Sequence, residues 1–366
     1  MHVLQVTPRY FPSIGGVEVV VQKISEMLVA SEEAQVTVYS VDLSQGLLRR
    51  QNVNGVLVKR FISLFGDPFY FPEPRFITDL MREKADIIHV HNVHTLLPFL
   101  ATLSKHSKQK LLLQSHYHRF GQSSLRHSLL KLYRYGLNSM IFSRVDLVIA
   151  NSAYEAKILY EDFHTYGKVA LIPEGIDVDE VKRMRRSPVE PERILYVGAL
   201  KRYKNVDSIL KGFRRLIAKG DKNFRLIIVG EGSEFKFLTN LAYSLGIENY
   251  VEWKHGLSRQ QVLNEYAKAS VLIMLSPLES FSRVVFEALL IGVPTVVLNY
   301  GAMAHLVRAG FVEGVNSLNS EEIAGALLTA TTKTYPRISE DPSTFLSWKE
   351  YSEKIINVYH RLLEKH

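Results

Sequence analysis

The stretch LSPLESFSRVVFEALLIGVPTVV, residues 275–297, decides how the rest of the chain is read. An apolar run over 271–275 ends in Ser276-Pro277, and residues 280–290 then carry apolar side chains at helical spacing. A second apolar run, 294–298, follows at once. The order is strand, loop, helix, strand, which puts Glu279 and the first N–H groups of the helix at the carboxyl edge of a parallel sheet. Open α/β sheets bind ligands at that edge, and helix N-termini favour anions.

Glu279 and Glu287 are eight residues apart, which on a continuous helix separates their Cα atoms by roughly 12 Å. They cannot share one bond. The paired carboxyl groups of a retaining glycosidase stand only about 5 Å apart, so this pair reads as two hydroxyl acceptors gripping different parts of a long ligand. A nucleotide sugar, with a sugar at one end and a ribose at the other, fits the span. Taken alone, the spacing also suits two surface glutamates on an amphipathic helix.

The string ESFSRVVFEA, with Ser-Pro before it and GVPTVV after it, resembles the E-x-F-G-x-x-x-x-E-A signature of the retaining glycosyltransferases of family GT4. The resemblance covers most of the chain and is strongest over residues 194–310. It implies an α/β protein of the GT-B fold: two Rossmann-like domains facing each other across a cleft, with a C-terminal helix returning to the first domain.

Length and composition are compatible with that. At 366 residues the chain exceeds one ordinary core, and two domains are expected. The hydrophobic fraction, 46%, suffices to build both. No run of 18 uninterrupted apolar residues occurs, and the first residues begin a strand rather than a signal peptide. A soluble, cytoplasmic protein is expected, at most peripheral at the inner face of a membrane. Zero cysteines exclude disulfides, thiol nucleophiles and thiolate metal sites.

The net charge of +8 is unevenly spread. Between Asp86 and Asp146 there is no acidic residue, whereas Lys105, Lys108, Lys110, Arg119, Arg126, Lys131, Arg134 and Arg144 are basic. The same segment has apolar positions at Leu125, Leu129, Tyr133, Leu137, Met140 and Ile141, so an anionic membrane surface or a phosphate-bearing acceptor is the expected partner. A core helix with a solvated basic face fits equally well. The basic residues follow no recognisable nucleic-acid-binding motif, so no nucleic acid is expected.

Residues 3–6, 36–41, 56–61, 86–91, 110–115, 147–150 and 169–172 read as strands with helical stretches between them, residues 17–30 first. Such alternation implies a largely parallel, doubly wound sheet. Residues 183–193, RMRRSPVEPER, are polar and contain proline, and they end the connection to a second series. That series runs through strand 194–197, helix 206–219, strand 225–229, helix 233–245, strand 250–253 and helix 259–269. The expected domains are 1–180 for the acceptor and 181–342 for the donor, followed by 343–366 as the returning helix.

In the first domain Gly15-Gly16 separates strand from helix, where the lack of Cβ lets N–H groups approach a phosphate or hydroxyl. A plain loop turn has the same composition. By position, GGVE at 15–18 matches the G-G-x-E loop that in the family lies beside the donor diphosphate. Ser115-His116-Tyr117-His118 follows another strand. The family carries a His in a short T-x-H-like motif here, close to the transferred sugar; His116 is the positional match, and Gln114 stands where Thr is usual. His118 is the alternative. A neutral His hydrogen-bonds a sugar hydroxyl, and a protonated one stabilises developing charge. His89, His91 and His94 have metal-like spacing but no carboxylate partner, and His89 and His91 share one strand face, so no metal site is expected.

In the second domain VGALKRYKN, 197–205, resembles the family's V-G-R-L…K-G segment, whose Arg and Lys neutralise the diphosphate. Gly198 and Lys204 match. Ala199 replaces the Arg, which leaves Lys201, Arg202 or Arg283 to supply the missing charge. VGEG, 229–232, resembles the V-G-x-G turn near the nucleoside through Gly230, and it lacks the third glycine of a dinucleotide fingerprint. Phe281, Ser282, Arg283 and Val284 complete the donor-binding set, with Ser282 at a usual Gly. His255 also stands at a usual Gly, His305 at a usual Glu and Glu174 at a usual Asn.

The resemblance implies transfer of a sugar from a UDP- or GDP-type donor to a hydroxyl acceptor, with the α configuration retained. Glu287 accepts from the ribose, Glu279 from the sugar, the N–H groups of Ser282 to Val284 meet the phosphates, and Lys204 stabilises the leaving diphosphate. The nucleotide sugar is a co-substrate and no cofactor is implied, preorganised charge standing in for a divalent metal. The acceptor is a sugar, a polyol or a lipid-linked molecule. A nucleotide-sugar 2-epimerase and a catalytically silent nucleotide-sugar-binding protein share the architecture, and Ala199 and Ser282 keep the silent option open.

Overall fold

The computed structural model describes residues 1–13, 15–44, 46–65, 70–119, 136–165, 167–187, 192–220, 224–338 and 345–364. The chain divides into two compact units, one made of Met1–Gly175 with Pro342–His366, the other of Ile176–Asp341.

In the first unit the strands of the main sheet are β1 (His2–Thr7), β2 (Gln35–Ser40), β3 (Arg50–Val53), β4 (Val56–Arg60), β5 (Ile87–His91), β6 (Lys110–Gln114), β7 (Leu147–Ala150) and β8 (Val169–Leu171). They form one sheet in the order β8-β7-β6-β5-β1-β2-β4-β3. Successive residues on a strand face opposite sides, and β1 shows the result. Leu4 and Val6 join a core with Phe76, Leu97, Ile141 and Leu159 from the helices Pro74–Arg82, Leu97–Ser104, Leu137–Arg144 and Ala153–Phe163. Val3 joins the opposite core, with Ile24 and Leu28 of the helix Gly16–Ala30 and Tyr351, Ile355 and Tyr359 of the helix Trp348–Glu364. Both faces are therefore covered, which is why these strands read as nearly continuous apolar runs.

The second unit contains β9 (Glu192–Val197), β10 (Phe224–Val229), β11 (Val251–Lys254), β12 (Val271–Met274), β13 (Thr295–Leu298) and β14 (Glu313–Val315). Every neighbouring pair is parallel, and the order is β11-β10-β9-β12-β13-β14. The chain therefore builds outward one way from β9 and then the other way from β12. In open α/β sheets such a reversal, beyond the carboxyl ends of the strands, is where ligands bind.

Several elements depart from the sequence expectation for local reasons. β3 pairs antiparallel with β4 through Asn54-Gly55, whose φ values of 52° and 85° build the two-residue turn that suits hairpin twist. The helix expected from residue 280 begins at Arg283, so this residue opens the helix instead of lying one turn in. The start is set by Phe281, which precedes the cap Ser282 and stacks on Phe286 with ring centroids 4.6 Å apart, a hydrophobic staple. The helix expected from residue 343 begins at Trp348. Ser347 N–H donates to Glu350 Oε2 at 2.8 Å and Glu350 N–H donates back to Ser347 Oγ at 3.3 Å, a capping box that fixes the first turn.

The basic segment is only partly described. Leu125, Arg126, Leu129, Lys131, Tyr133 and Arg134 lie outside the described residues. Of the rest, Ile141 is core, Lys105 lies 2.5 Å from Asp146, and Arg119 pairs with Asp162 at 3.0 Å. Among the described residues no helix is long and apolar enough to cross a membrane.

Gly230 follows β10 at φ 151°, and a Cβ there would overlap the Gly198 carbonyl oxygen. Gly230→Ala is expected to lower the unfolding free energy by about 1–3 kcal/mol, read from the urea midpoint at unchanged slope. An unshifted midpoint would mean that the two loops are not packed in this way.

Candidate functional site

In the second unit the residues singled out in the sequence converge on the reversal between β9 and β12. Asn205, at a left-handed φ of 55°, donates from Nδ2 to the Leu275 carbonyl at 2.8 Å and so ties the loop after β9 to the loop after β12. Its neighbour Lys204 then reaches Glu279, with Nζ 2.5 Å from Oε1 and the two side chains only 15% and 13% exposed. Burial pushes the Lys204 ammonium down, but the Glu279 carboxylate and Tyr203 outweigh it and hold its pKa above the usual lysine value. The Tyr196 phenol, buried on β9, is pushed well up by burial and by the same Glu279 charge. It donates to the Ala199 carbonyl at 3.0 Å, so the residue at the expected Arg position serves here through its backbone.

Glu287 lies within the following helix and has its own cation. Its Oε1 is 2.8 Å from Arg259 Nη2, and Arg259 Nε is 3.0 Å from Glu180. Burial pushes the guanidinium down, and the two carboxylates more than reverse this, raising its pKa. Glu279 and Glu287 thus belong to two separate ion pairs, one ahead of the helix and one inside it. Between them lies the helix N-terminus, capped by Ser282 without a side-chain hydrogen bond. The first N–H groups of any helix lack intrahelical acceptors, so Arg283 and Val284 begin an anion-favouring turn. Arg202, in the short turn Arg202–Lys204, is exposed. Further along the same edge His255 donates from Nδ1 to the Gly230 carbonyl at 2.7 Å, with Phe235 edge-on to its ring. His305 is held by the Ala302 carbonyl, and burial lowers its pKa.

In the first unit Gly15 caps the helix Gly16–Ala30 and packs so closely on Glu18 that a Cβ would overlap its carboxylate. Glu18 is held by Arg9 at 2.6 Å. His116 follows β6 with φ 46°, a conformation uncommon outside glycine. Its frame is a buried carboxylate: Glu155 accepts from Ser115 Oγ at 2.5 Å, from Tyr117 N–H at 2.6 Å and from Asn151 N–H at 2.8 Å. The two residues flanking His116 are thereby clamped. Burial raises the Glu155 carboxyl to about 7, with these three hydrogen bonds opposing. His118 stacks on His94 with ring centroids 4.0 Å apart.

His89 and His91 are fully buried on one face of β5 with rings stacked 4.3 Å apart. His89 Nδ1 is 2.8 Å from the Tyr359 hydroxyl, and His91 Nε2 is 2.8 Å from Gln5 Oε1. Burial pushes both imidazoles down, His89 to about 3, so they are neutral polar pieces of the core beneath the helix Trp348–Glu364. Among the described residues no group of three or more His, Asp or Glu is placed to hold a metal ion.

Sequence reasoning missed Asn205, Arg259, Tyr196, Asn151 and Glu155. Only Glu155 left a signal, since Ser152-x-x-Glu155 is a capping-box pattern. Ser152 Oγ does accept from Glu155 N–H at 3.2 Å, while the Glu155 carboxylate turns to the neighbouring loop instead.

Two family models match successive parts of the chain. Residues 14–180 match Glycosyltransferase Family 4 and residues 177–336 match Glycosyl transferases group 1. The chain belongs to the family 4 glycosyltransferases. A relative, the uncharacterized glycosyltransferase MJ1607 of Methanocaldococcus jannaschii, is 26% identical over 84% of this chain and 83% of its own length. The GT-B fold is shared with sucrose-phosphate synthase of Thermosynechococcus elongatus, at TM-score 0.76 and 16% identity over 100% of both chains. It is shared too with Anabaena HepE in complex with UDP and glucose, at TM-score 0.73 and 17% identity over 98% of this chain and 99% of that one.

For this glycosyltransferase the Glu155 clamp has a pH signature. A carboxyl raised on folding contributes stability that is present below its unfolded value near 4.5 and is lost as pH rises through about 7. The wild type should lose on the order of 3 kcal/mol of unfolding free energy from this group between about pH 4 and pH 8. Glu155→Gln should flatten that part of the profile in urea titrations at several pH values. Parallel profiles would show that Glu155 titrates normally.

Proposed function

We propose that this glycosyltransferase moves a sugar from a nucleoside diphosphate sugar of the UDP or GDP type to a hydroxyl acceptor, with retention and without a metal. The observation that carries the reading is the Lys204–Glu279 pair, 2.5 Å apart at the reversal of the second sheet. A bound diphosphate competes with Glu279 for the ammonium. Lys204 then neutralises charge on the departing phosphate, and Glu279, released, accepts from the sugar hydroxyls. The N–H groups at Arg283 and Val284 add a second source of positive potential, and such preorganised charge is worth several kcal/mol where water is excluded. Glu287 accepts from the ribose.

No protein nucleophile is required. The anomeric carbon–oxygen bond to the diphosphate breaks, the acceptor oxygen bonds to the same carbon from the same face, and its proton passes to the leaving phosphate. In the first unit His116 meets the transferred sugar. HepE, solved with UDP and glucose, supports a nucleotide sugar of this kind through likeness of fold. The acceptor is a sugar, a polyol or a lipid-linked molecule, the last supported by the run of sequence between Asp86 and Asp146 that contains no acid. A protein that works in this way at an anionic membrane surface would be cytoplasmic and peripheral.

Thermal-shift screening with UDP, GDP and ADP sugars, followed by an acceptor panel with the winner, tests the reading. Nucleoside diphosphate should appear only with acceptor present, activity should survive EDTA, and the product should be α-linked. Turnover of donor without acceptor would favour an epimerase, and a β-linked product would sink the claim of retention. Lys204→Met should lower kcat by about 10²–10³, whereas Glu287→Ala should mainly weaken donor binding. Unchanged kinetics in both would remove the donor site from this edge.

A further inference from the structure

Gln114, the last residue of β6, sits in the middle of a four-residue chain of hydrogen bonds. The Tyr351 hydroxyl, on the helix Trp348–Glu364, donates to Gln114 Oε1 at 3.0 Å. Gln114 Nε2 donates to Asn151 Oδ1 at 2.9 Å, and Asn151 Nδ2 lies 3.1 Å from His116 Nδ1. Three of these side chains are essentially without solvent contact and His116 is 9% exposed, so no bulk water competes for the bonds.

The chain has a direction. A phenol facing an amide oxygen donates its proton, which turns Gln114 Nε2 toward Asn151. An amide NH2 group only donates, so Asn151 Nδ2 requires His116 Nδ1 to accept. In the neutral ring the remaining proton is then on Nε2. Glu174 Oε1 is 3.6 Å from the same Nδ1, too far for a hydrogen bond. A threonine at position 114 would be too short to link the helix to Asn151, so the link depends on glutamine at this position.

We propose that Tyr351, Gln114 and Asn151 are positioning residues that hold His116 in the Nε2–H tautomer, so that its buried Nε2 is a hydrogen-bond donor and not a base. What the Nε2–H meets rests on the transferase reading above; the tautomer does not. The relay and the Glu155 clamp act separately. Glu155 fixes the backbone on both sides of His116, whereas the relay fixes only where the ring proton sits.

The polarity of the chain can be reversed by one isosteric change. In Gln114→Glu, at a pH that ionises a carboxyl raised by burial, the carboxylate only accepts, so Asn151 must turn Nδ2 toward it and Oδ1 toward His116, which moves the proton to Nδ1. Tyr351→Phe keeps the ring packed near Trp348 and removes only the hydroxyl. Nitrogen-15 NMR of histidine-labelled full-length protein at alkaline pH, without substrate, should show a protonated Nε2 at His116 in the wild type. It should show a protonated Nδ1 in Gln114→Glu and a mixture in Tyr351→Phe. With donor and acceptor, both variants should lose about tenfold or more in kcat at unchanged donor KM.

Tyr359→Phe is the control. It lies on the same helix and is equally buried, but its hydroxyl bonds Gln5 and His89, so tautomer and kcat should stay as in the wild type. A wild-type Nδ1–H, or a tautomer that neither variant moves, would overturn the proposal. Equal kcat losses in Tyr351→Phe and Tyr359→Phe would also overturn it, since they would trace the effect to helix docking. Because the spectra need no substrate, a failure of the relay is distinguishable from a failure of the transferase reading.

Discussion

In a parallel sheet every strand ends at the same edge, so all the loops that follow strands are collected there whatever their distance in sequence. That constraint produces the arrangement at the edge of the second sheet. Lys204 and Glu279 come from loops 75 residues apart. They meet because β9 and β12 are hydrogen-bonded neighbours, Ile194 opposite Val271. Asn205 fastens the two loops together with a single bond to the Leu275 carbonyl. The ion pair is thus a product of topology first and of charge second.

The first unit meets a different requirement. Among the described residues its sheet is covered on one face by four helices that lie between its own strands in the chain, but the other face needs the helix Trp348–Glu364 as well as Gly16–Ala30. The contact beneath that helix is not purely apolar. Gln5, His89, His91 and Gln114 rise from the sheet and are met by Tyr351 and Tyr359. Buried polar groups cost free energy unless paired, so this face accepts a helix that brings hydroxyls in register and disfavours one that brings only methyl groups. Tyr351 therefore serves both the docking of the helix and the chain that leads to His116, whereas Tyr359 serves docking alone.

Much of this was legible in the sequence, and the parts that were not share a cause. Alternating apolar runs located the parallel strands, because burial on both faces leaves a signal in residue type. The E-x7-E string, the lysine at 204 and the His after β6 were visible because each lies at a strand or helix end. Arg259 and Asn151 left no such mark: each acts through a side-chain partner remote in sequence, Glu287 for one and Gln114 for the other. Helix starts were misplaced by three to five residues where a staple or a capping box, not periodicity, sets the first turn. β3 was overlooked although Asn54-Gly55 announces a hairpin, since the strand itself, RQNV, is mostly polar.

The division of the chain into units also bears on the order in which they form during synthesis. Ile176–Asp341 is one uninterrupted segment and has everything it needs once it has left the ribosome. The sheet that precedes it must wait, with one face only partly covered by the helix Gly16–Ala30, until residues 348–364 emerge. Domains generally fold as units in the order they are made. Here the later segment completes first, and the earlier one carries a sticky, half-finished surface through roughly half of translation, the interval in which a chaperone would find it.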